Sequence, residues 1–174
     1  RYLKGCGWPK SYKAWVRVQD LKKGTEVKQL CSFLLPHELI NCIHATSDMA
    51  VLMDRAGLDP KSLAHLQKCE ESCGHQLLAL GVWGDGVPVN WDRTESVETF
   101  SLNLPGQSGQ YKTLRLPITA LSRKQVTENT WEDVMEVIAW SLRHCTNGTR
   151  PTSRHDGAAW WPSDSSRARQ ARTA

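Results

Sequence analysis

The clearest hydrophobic pattern of the chain lies between residues 77 and 121. Leu77 to Trp83 is almost continuously apolar, which predicts a strand buried on both faces. It breaks at Gly84-Asp85-Gly86, where a carboxylate stands between two glycines at the expected strand end. From Ser96 to Leu104, Phe100, Leu102 and Leu104 alternate with Thr99, Ser101 and Asn103, the period of two of a half-buried strand. Pro105-Gly106 and Ser108-Gly109 supply turn chemistry, and Leu114, Leu116, Ile118 and Ala120 alternate again from Thr113 to Leu121. Pro117 lacks a backbone donor and suits an edge or a bulge. The pattern predicts a three-stranded antiparallel meander.

Helical spacing surrounds these strands. Pro36 suits a first helical position, with Leu39, Ile40 and Ile43 on one face. Ser47 can cap a short helix carrying Met49, Leu52 and Met53 and stopped by Gly57. Asp59-Pro60 opens a third helix that Gly74 ends. After the strands, Thr130 opens a long helix with Glu132 and Asp133 in its first turn, where the helix dipole favours anions. Trp131, Val134, Val137, Ile138, Leu142 and Cys145 form its apolar stripe, which would cover one face of the sheet. The expected class is α+β (α/β-like): a basic segment over 1–30, a helical region over 31–76, the strands and covering helix over 77–149, and a basic polar tail over 150–174.

Composition narrows the function. With 40% hydrophobic residues in 174, the chain is globular, and no apolar run approaches the ~20 residues of a membrane span. The opening RYLKGCGWPK has no signal-peptide core and no Met, which points to an intracellular, excised or incomplete gene product. The net charge of +4 is segregated, with +6 over 1–30, −5 over 31–149 and +3 from Arg150 onward. In the first segment Lys4, Lys10, Lys13, Arg17, Lys22 and Lys23 are interleaved with Tyr2, Trp8, Tyr12 and Trp15, the mixture that pairs with phosphates and stacks on bases. DNA is therefore a candidate partner. The six cysteines have no framework spacing and read as free thiols. His65, Cys69 and Cys73 share a helical face near His75, but their intervals are wider than those of zinc knuckles, which argues against zinc. Asn147-Gly148-Thr149 reads as a turn. No nucleophile elbow or phosphate-binding glycine motif is present.

The wording LGVWGDGVPVNWDRTESVETFSLNLPG, followed by LRLPITALSRKQ, TWEDVMEVIAWSL and PTSRHDGAAWWPSD, resembles a family of uncharacterised, transposon-derived proteins abundant in dinoflagellate genomes. The resemblance spans roughly residues 33–166. Members look distantly similar to DDE-type transposases, whose ribonuclease-H-like core cuts and joins DNA with two metal ions. The resemblance thus implies a partial ribonuclease-H-like fold, with Asp85 as an ancestral Mg²⁺ ligand. It also implies DNA as partner and a nuclear setting. Asp133, on the flank of the helical stripe, is a weaker second carboxylate, and Glu136 points away from the stripe. Two-metal phosphoryl transfer needs several converging carboxylates. The fourth strand that would bring another is not readable before Ala174, so the expected reading is a truncated, catalytically inactive fragment. The alternative is a non-enzymatic module that binds nucleic acid or, through its open sheet edge, a partner strand or a second copy.

Overall fold

The computed structural model describes residues 7–46, 49–92, 94–108 and 114–171. Its first element is a hairpin that the charge of the segment conceals. Tyr12, Ala14, Val16 and Val18 are buried and alternate with Lys13, Trp15, Arg17 and Gln19 along β1 (Tyr12–Gln19). β1 pairs antiparallel with β2 (Glu26–Phe33), from Tyr12 opposite Phe33 to Gln19 opposite Glu26. The turn between them closes because the Asp20 carboxylate accepts from the amides of Lys22 and Lys23, while Gly24 takes a φ of +66°. The expected boundary at residue 30 therefore falls inside β2.

α1 (Pro36–Thr46), the single-turn α2 (Met49–Leu52) and α3 (Pro60–Cys73) follow in the predicted order, though α2 ends before Met53 and its expected cap, Ser47, lies outside the described residues. Asp59 caps α3 by accepting from the amides of Lys61 and Ser62, and Gly74 closes it in the left-handed conformation. The segment before α3 is fixed by a close crossing of two loops. Gly57 donates to the Gly106 carbonyl at 2.9 Å, and Ser108 Oγ donates to the Asp54 carboxylate at 2.7 Å.

β3 (Gly81–Pro88), β4 (Ser96–Asn103) and β5 (Leu116–Ser122) form the expected antiparallel meander in the order β3-β4-β5. The first strand differs from its reading in two ways. It starts at Gly81 and runs straight through Gly84-Asp85-Gly86, so Asp85 lies within the strand opposite Thr99. It is also exposed rather than buried on both faces: β3 is an edge paired with β4 alone, and none of its residues joins the apolar core. An apolar run does not distinguish a covered central strand from an uncovered edge. Pro117 behaves as expected: the β4–β5 register slips beside it, skipping Ile118. The Ile118 carbonyl accepts instead from Leu34 N at 2.8 Å, and Thr119 Oγ1 donates to Ser32 O, so β5 abuts the end of β2.

The long helix α4 (Glu128–Asn147) begins earlier than read. Thr127 is its cap, and Thr130, three residues on, returns the bond to the Thr127 amide. Its buried residues Val134, Val137 and Ile138 pack mainly on β1 and α1. It reaches the meander through Trp131, whose ring meets Phe100 edge-on at 5.4 Å. The expected cover of the three-stranded sheet is thus a cover of the hairpin. One apolar cluster runs through Val16, Phe33, Leu39, Leu102, Ile118 and Val137, uniting hairpin, helices and meander.

The segment after Arg150 is packed rather than a polar tail. Arg154 is 1% exposed and lies 3.7 Å from the Trp161 ring centroid and 4.9 Å from that of Tyr12. Its Nη2 donates to the Lys13 carbonyl at 2.8 Å, and its Nη1 reaches Asp164 at 3.5 Å. In α5 (Ser165–Gln170), Arg167 grips both oxygens of Glu38 on α1 at 2.6 and 2.7 Å and also contacts Asp164 and the Lys10 carbonyl. Two arginines and two carboxylates neutralise one another, which is why this charged sequence can be buried. No helix among the described residues is long and apolar enough to cross a membrane.

Candidate functional site

Asp85 is exposed and has no ion-pair partner among the described residues. Its flanking glycines have a packing role. A Cβ on Gly84 would lie 3.1 Å from the Phe100 ring, and one on Gly86 would lie 3.3 Å from a Glu98 carboxylate oxygen. The two side chains of β4 therefore lean over the bare backbone of β3. Strand alternation turns Asp85 to the opposite face from Glu98, so these carboxylates do not converge.

Asp133 is closed to a metal. Its oxygens accept from Arg17 N at 2.7 Å, Nε at 3.0 Å and Nη2 at 2.6 Å, leaving the carboxylate saturated and mostly buried. Arg17 holds its carboxyl below the usual carboxylate range, against the opposing effect of burial. The stripe-flank position at the start of α4 thus serves to lock the helix onto β1, where Thr130 Oγ1 also donates to the Arg17 carbonyl at 2.6 Å. Arg17 is correspondingly withdrawn from the group of candidate phosphate contacts. On α3, Cys69 Sγ is 3.7 Å from His65 Nε2, while Cys73 and His75 turn to backbone carbonyls. No group of three or more His, Cys, Asp or Glu side chains among the described residues is arranged to hold a metal ion.

The basic candidates distribute around the hairpin. Lys4 lies outside the described residues. Lys10 precedes β1 and is exposed, and Lys22 and Lys23 project at the hairpin turn beside the exposed Leu21. Lys13 donates to Ser32 Oγ across the strands. Because Ala14 and Val16 are buried, Trp15 must point outward, and it is 52% exposed opposite Leu30. Lys28, which the charge reading did not single out, is exposed opposite Arg17. The outer face therefore carries an aromatic ring with Lys13 beside it and Lys28 on the neighbouring strand. Its acid, Glu26, is held by Asn129 and Thr127 at the start of α4. The period of two through 12–18 determines which residues share this side, but the charge of the segment masks it in the sequence.

A second cluster sits behind the hairpin. Tyr12, Trp140, Trp160, His37, His144 and His155 form a ring-on-ring group with centroids 5.6–6.3 Å apart. The Tyr12 hydroxyl lies 2.6 Å from His155 Nδ1, and burial pushes its pKa up to about 12. His37 Nδ1 lies 2.8 Å from Ser141 Oγ, a hydroxyl with no solvent access and so no route to a substrate. Burial, reinforced by His144 and Arg167, pushes the His37 imidazole down to about 4. Its proton uptake is thus deferred in the folded state, while the unfolded chain takes a proton near pH 6.5. Stability must fall as pH drops from about 6.5 towards 4, by about 2 kcal/mol between pH 7 and pH 5 from this residue alone. His144 and His155 are shifted in the same direction. Urea unfolding at both pH values should show a smaller loss for His37→Gln than for the parent. Equal losses would refute the assignment.

Compared with known protein families, curated proteins and solved structures, the chain matches none.

Proposed function

We propose that the chain is a non-enzymatic nucleic-acid-binding module whose contact surface is the outer face of the β1–β2 hairpin. The observation that supports this reading is Trp15: a large aromatic ring held half out of the surface by a strand whose other side is buried, with the half-buried Lys13 on the same face and the exposed Lys28 on the neighbouring strand. Such a ring offers a stacking platform, and Lys10, Lys13, Lys22, Lys23 and Lys28 can follow a phosphate backbone around it. An aromatic ring stacks only on a base whose face is open, which a paired duplex does not offer, so single strands are the better substrate.

The test is fluorescence anisotropy with a labelled twelve-nucleotide oligothymidine and a matching duplex. Stacking is worth about 1–3 kcal/mol per base, so Trp15→Ala should weaken single-strand binding about tenfold. With roughly four phosphates neutralised, log K should fall with log salt at a slope of about −3, and Lys13→Gln with Lys28→Gln should flatten it by about 1.4. Parent and Trp15→Ala binding alike would end this proposal.

The second reading is a transposase-like protein with a partial ribonuclease-H-like core, inactive alone. The exposed Asp85 favours it, as a carboxylate open to Mg²⁺ on an uncovered strand. A single carboxylate of this kind could hold magnesium through waters but could not organise both oxygens of an in-line displacement. Titration with Mg²⁺ or Mn²⁺ separates the two: metal binding by the parent and not by Asp85→Ala would favour this reading, whereas cleavage of supercoiled DNA by the parent and not by the variant would overturn its inactivity.

A further inference from the structure

β3 is an open edge of unusual composition. Natural edge strands are guarded by lysines, bulges or inward charges, yet β3 offers Val82, Trp83 and Val87 with three glycines, and Pro88 guards only its end. Its outer backbone groups have no partner among the described residues. A strand laid along this edge would therefore gain ladder hydrogen bonds without displacing anything.

The side chains at the edge specify what that strand carries. On one face Asp85 stands without an ion pair among the described residues. On the other, Glu98 reaches across Gly86 from the next strand, its carboxylate oxygens 3.3 and 3.5 Å from where a Cβ would be. The glycine thus delivers an acid from β4 towards the rim of the sheet. Beside it, Phe100 covers Gly84 in the same way, and with Trp131 and Arg123 these residues line a cavity of about 490 Å³. Arg123 is the present partner of Glu98, at 3.5 Å, but its side chain is 69% exposed and the pair is a weak one. Of the other described cations nearby, Arg115 lies over Trp83 at 5.0 Å, and Lys124 pairs with Glu95 at 3.4 Å.

We infer that the free edge of β3 is a docking site for an extended, apolar segment of another protein carrying two successive basic residues. Successive residues of a strand point to opposite faces. One basic side chain therefore meets Asp85, while its neighbour lies over Gly86 with its stem against the aromatic rings and its head at Glu98. Backbone pairing supplies affinity, and the two carboxylates, one on each face, supply the choice of partner. This site is separate from the outer face of the hairpin and does not depend on nucleic-acid binding there.

The probe is an eight-residue peptide alternating valine and threonine around a central lysine–arginine pair, titrated by anisotropy into the full chain. A glutamate–glutamate counterpart and a version methylated at alternate backbone nitrogens serve as comparisons. The basic peptide should bind at least tenfold more tightly than the acidic one, and backbone methylation should abolish binding. Asp85→Asn combined with Glu98→Gln should remove the tenfold preference while leaving the melting temperature nearly unchanged. Equal binding of both peptides, or no binding of either, overturns the proposal. So does sedimentation showing that a second copy of the chain already occupies the edge.

Discussion

Replacing Asp164 with Ala should cost 3–5 kcal/mol, about 10 °C in melting temperature for a chain of this size. Asp164 is the bridge between two arginines: it takes Arg167 Nη1 at 2.5 Å and Arg154 Nη1 at 3.5 Å. Arg154 has a side chain with no solvent exposure, and its Nε has no hydrogen-bond partner among the described residues. Without Asp164, Glu38 would remain for Arg167, but Arg154 would keep only the 3.7 Å contact from its Nε to the half-exposed Asp156, leaving a buried positive charge poorly compensated. The loss therefore comes chiefly from an uncompensated charge rather than from the broken bonds. Adding Arg154→Met to Asp164→Ala should recover part of the stability, because an apolar replacement of a buried pair removes the desolvation cost with the charge. Urea unfolding of the single and double variants measures this directly. A single variant within 1 kcal/mol of the parent would mean that water reaches the cluster.

A comparable effect is expected at the loop crossing. A Cβ on Gly106 would lie 2.2 Å from the Asp54 carbonyl oxygen, and one on Gly57 would lie 2.4 Å from that of Gln107. Both obstacles are backbone, so no side chain can swing aside, and the two loops must separate. That separation breaks the bond from Gly57 to Gly106 and those from Ser108 to Asp54. Gly106→Ala should destabilise by at least 3 kcal/mol. The control is Gly74→Ala, where the chain has a φ of +73° with open space around it and only the left-handed conformation is penalised, about 1–2 kcal/mol. If the two variants melt together, the crossing is looser than its geometry implies.

The strands of the meander, their order and the helices were legible because each has a period, a cap or a stop of its own. β4 alternates, Asp59 and Gly74 bracket α3, and Pro117 marks the irregular strand. What was not legible depends on partners distant in sequence. The alternation of Tyr12, Ala14, Val16 and Val18 is as regular as that of β4, but the intervening lysines and Arg17 made charge the dominant signal. Asp133 looked like a dipole-favoured surface acid because its partner, Arg17, lies 116 residues away. The C-terminal segment read as polar because its burial rests on Glu38 and on the carbonyls of Lys10 and Lys13. Asp85 was placed at a strand end because Gly-Asp-Gly is turn chemistry. Only the leaning of Glu98 and Phe100 explains glycines inside a strand.

The outer margin of β1 has a consequence for how the molecule is made. Its backbone is closed not by another strand but by side chains: Asp133 and Thr130 at Arg17, and Arg154 at Lys13. These groups leave the ribosome more than a hundred residues after the strand they cover. Until they arrive, the nascent hairpin presents a bare template on which other chains can pair. Contacts of such long sequence separation also slow the search for the native state. Synthesis of this protein thus includes a window, opened at β1 and closed near Arg154, in which a chaperone holding the hairpin would do most to raise its yield.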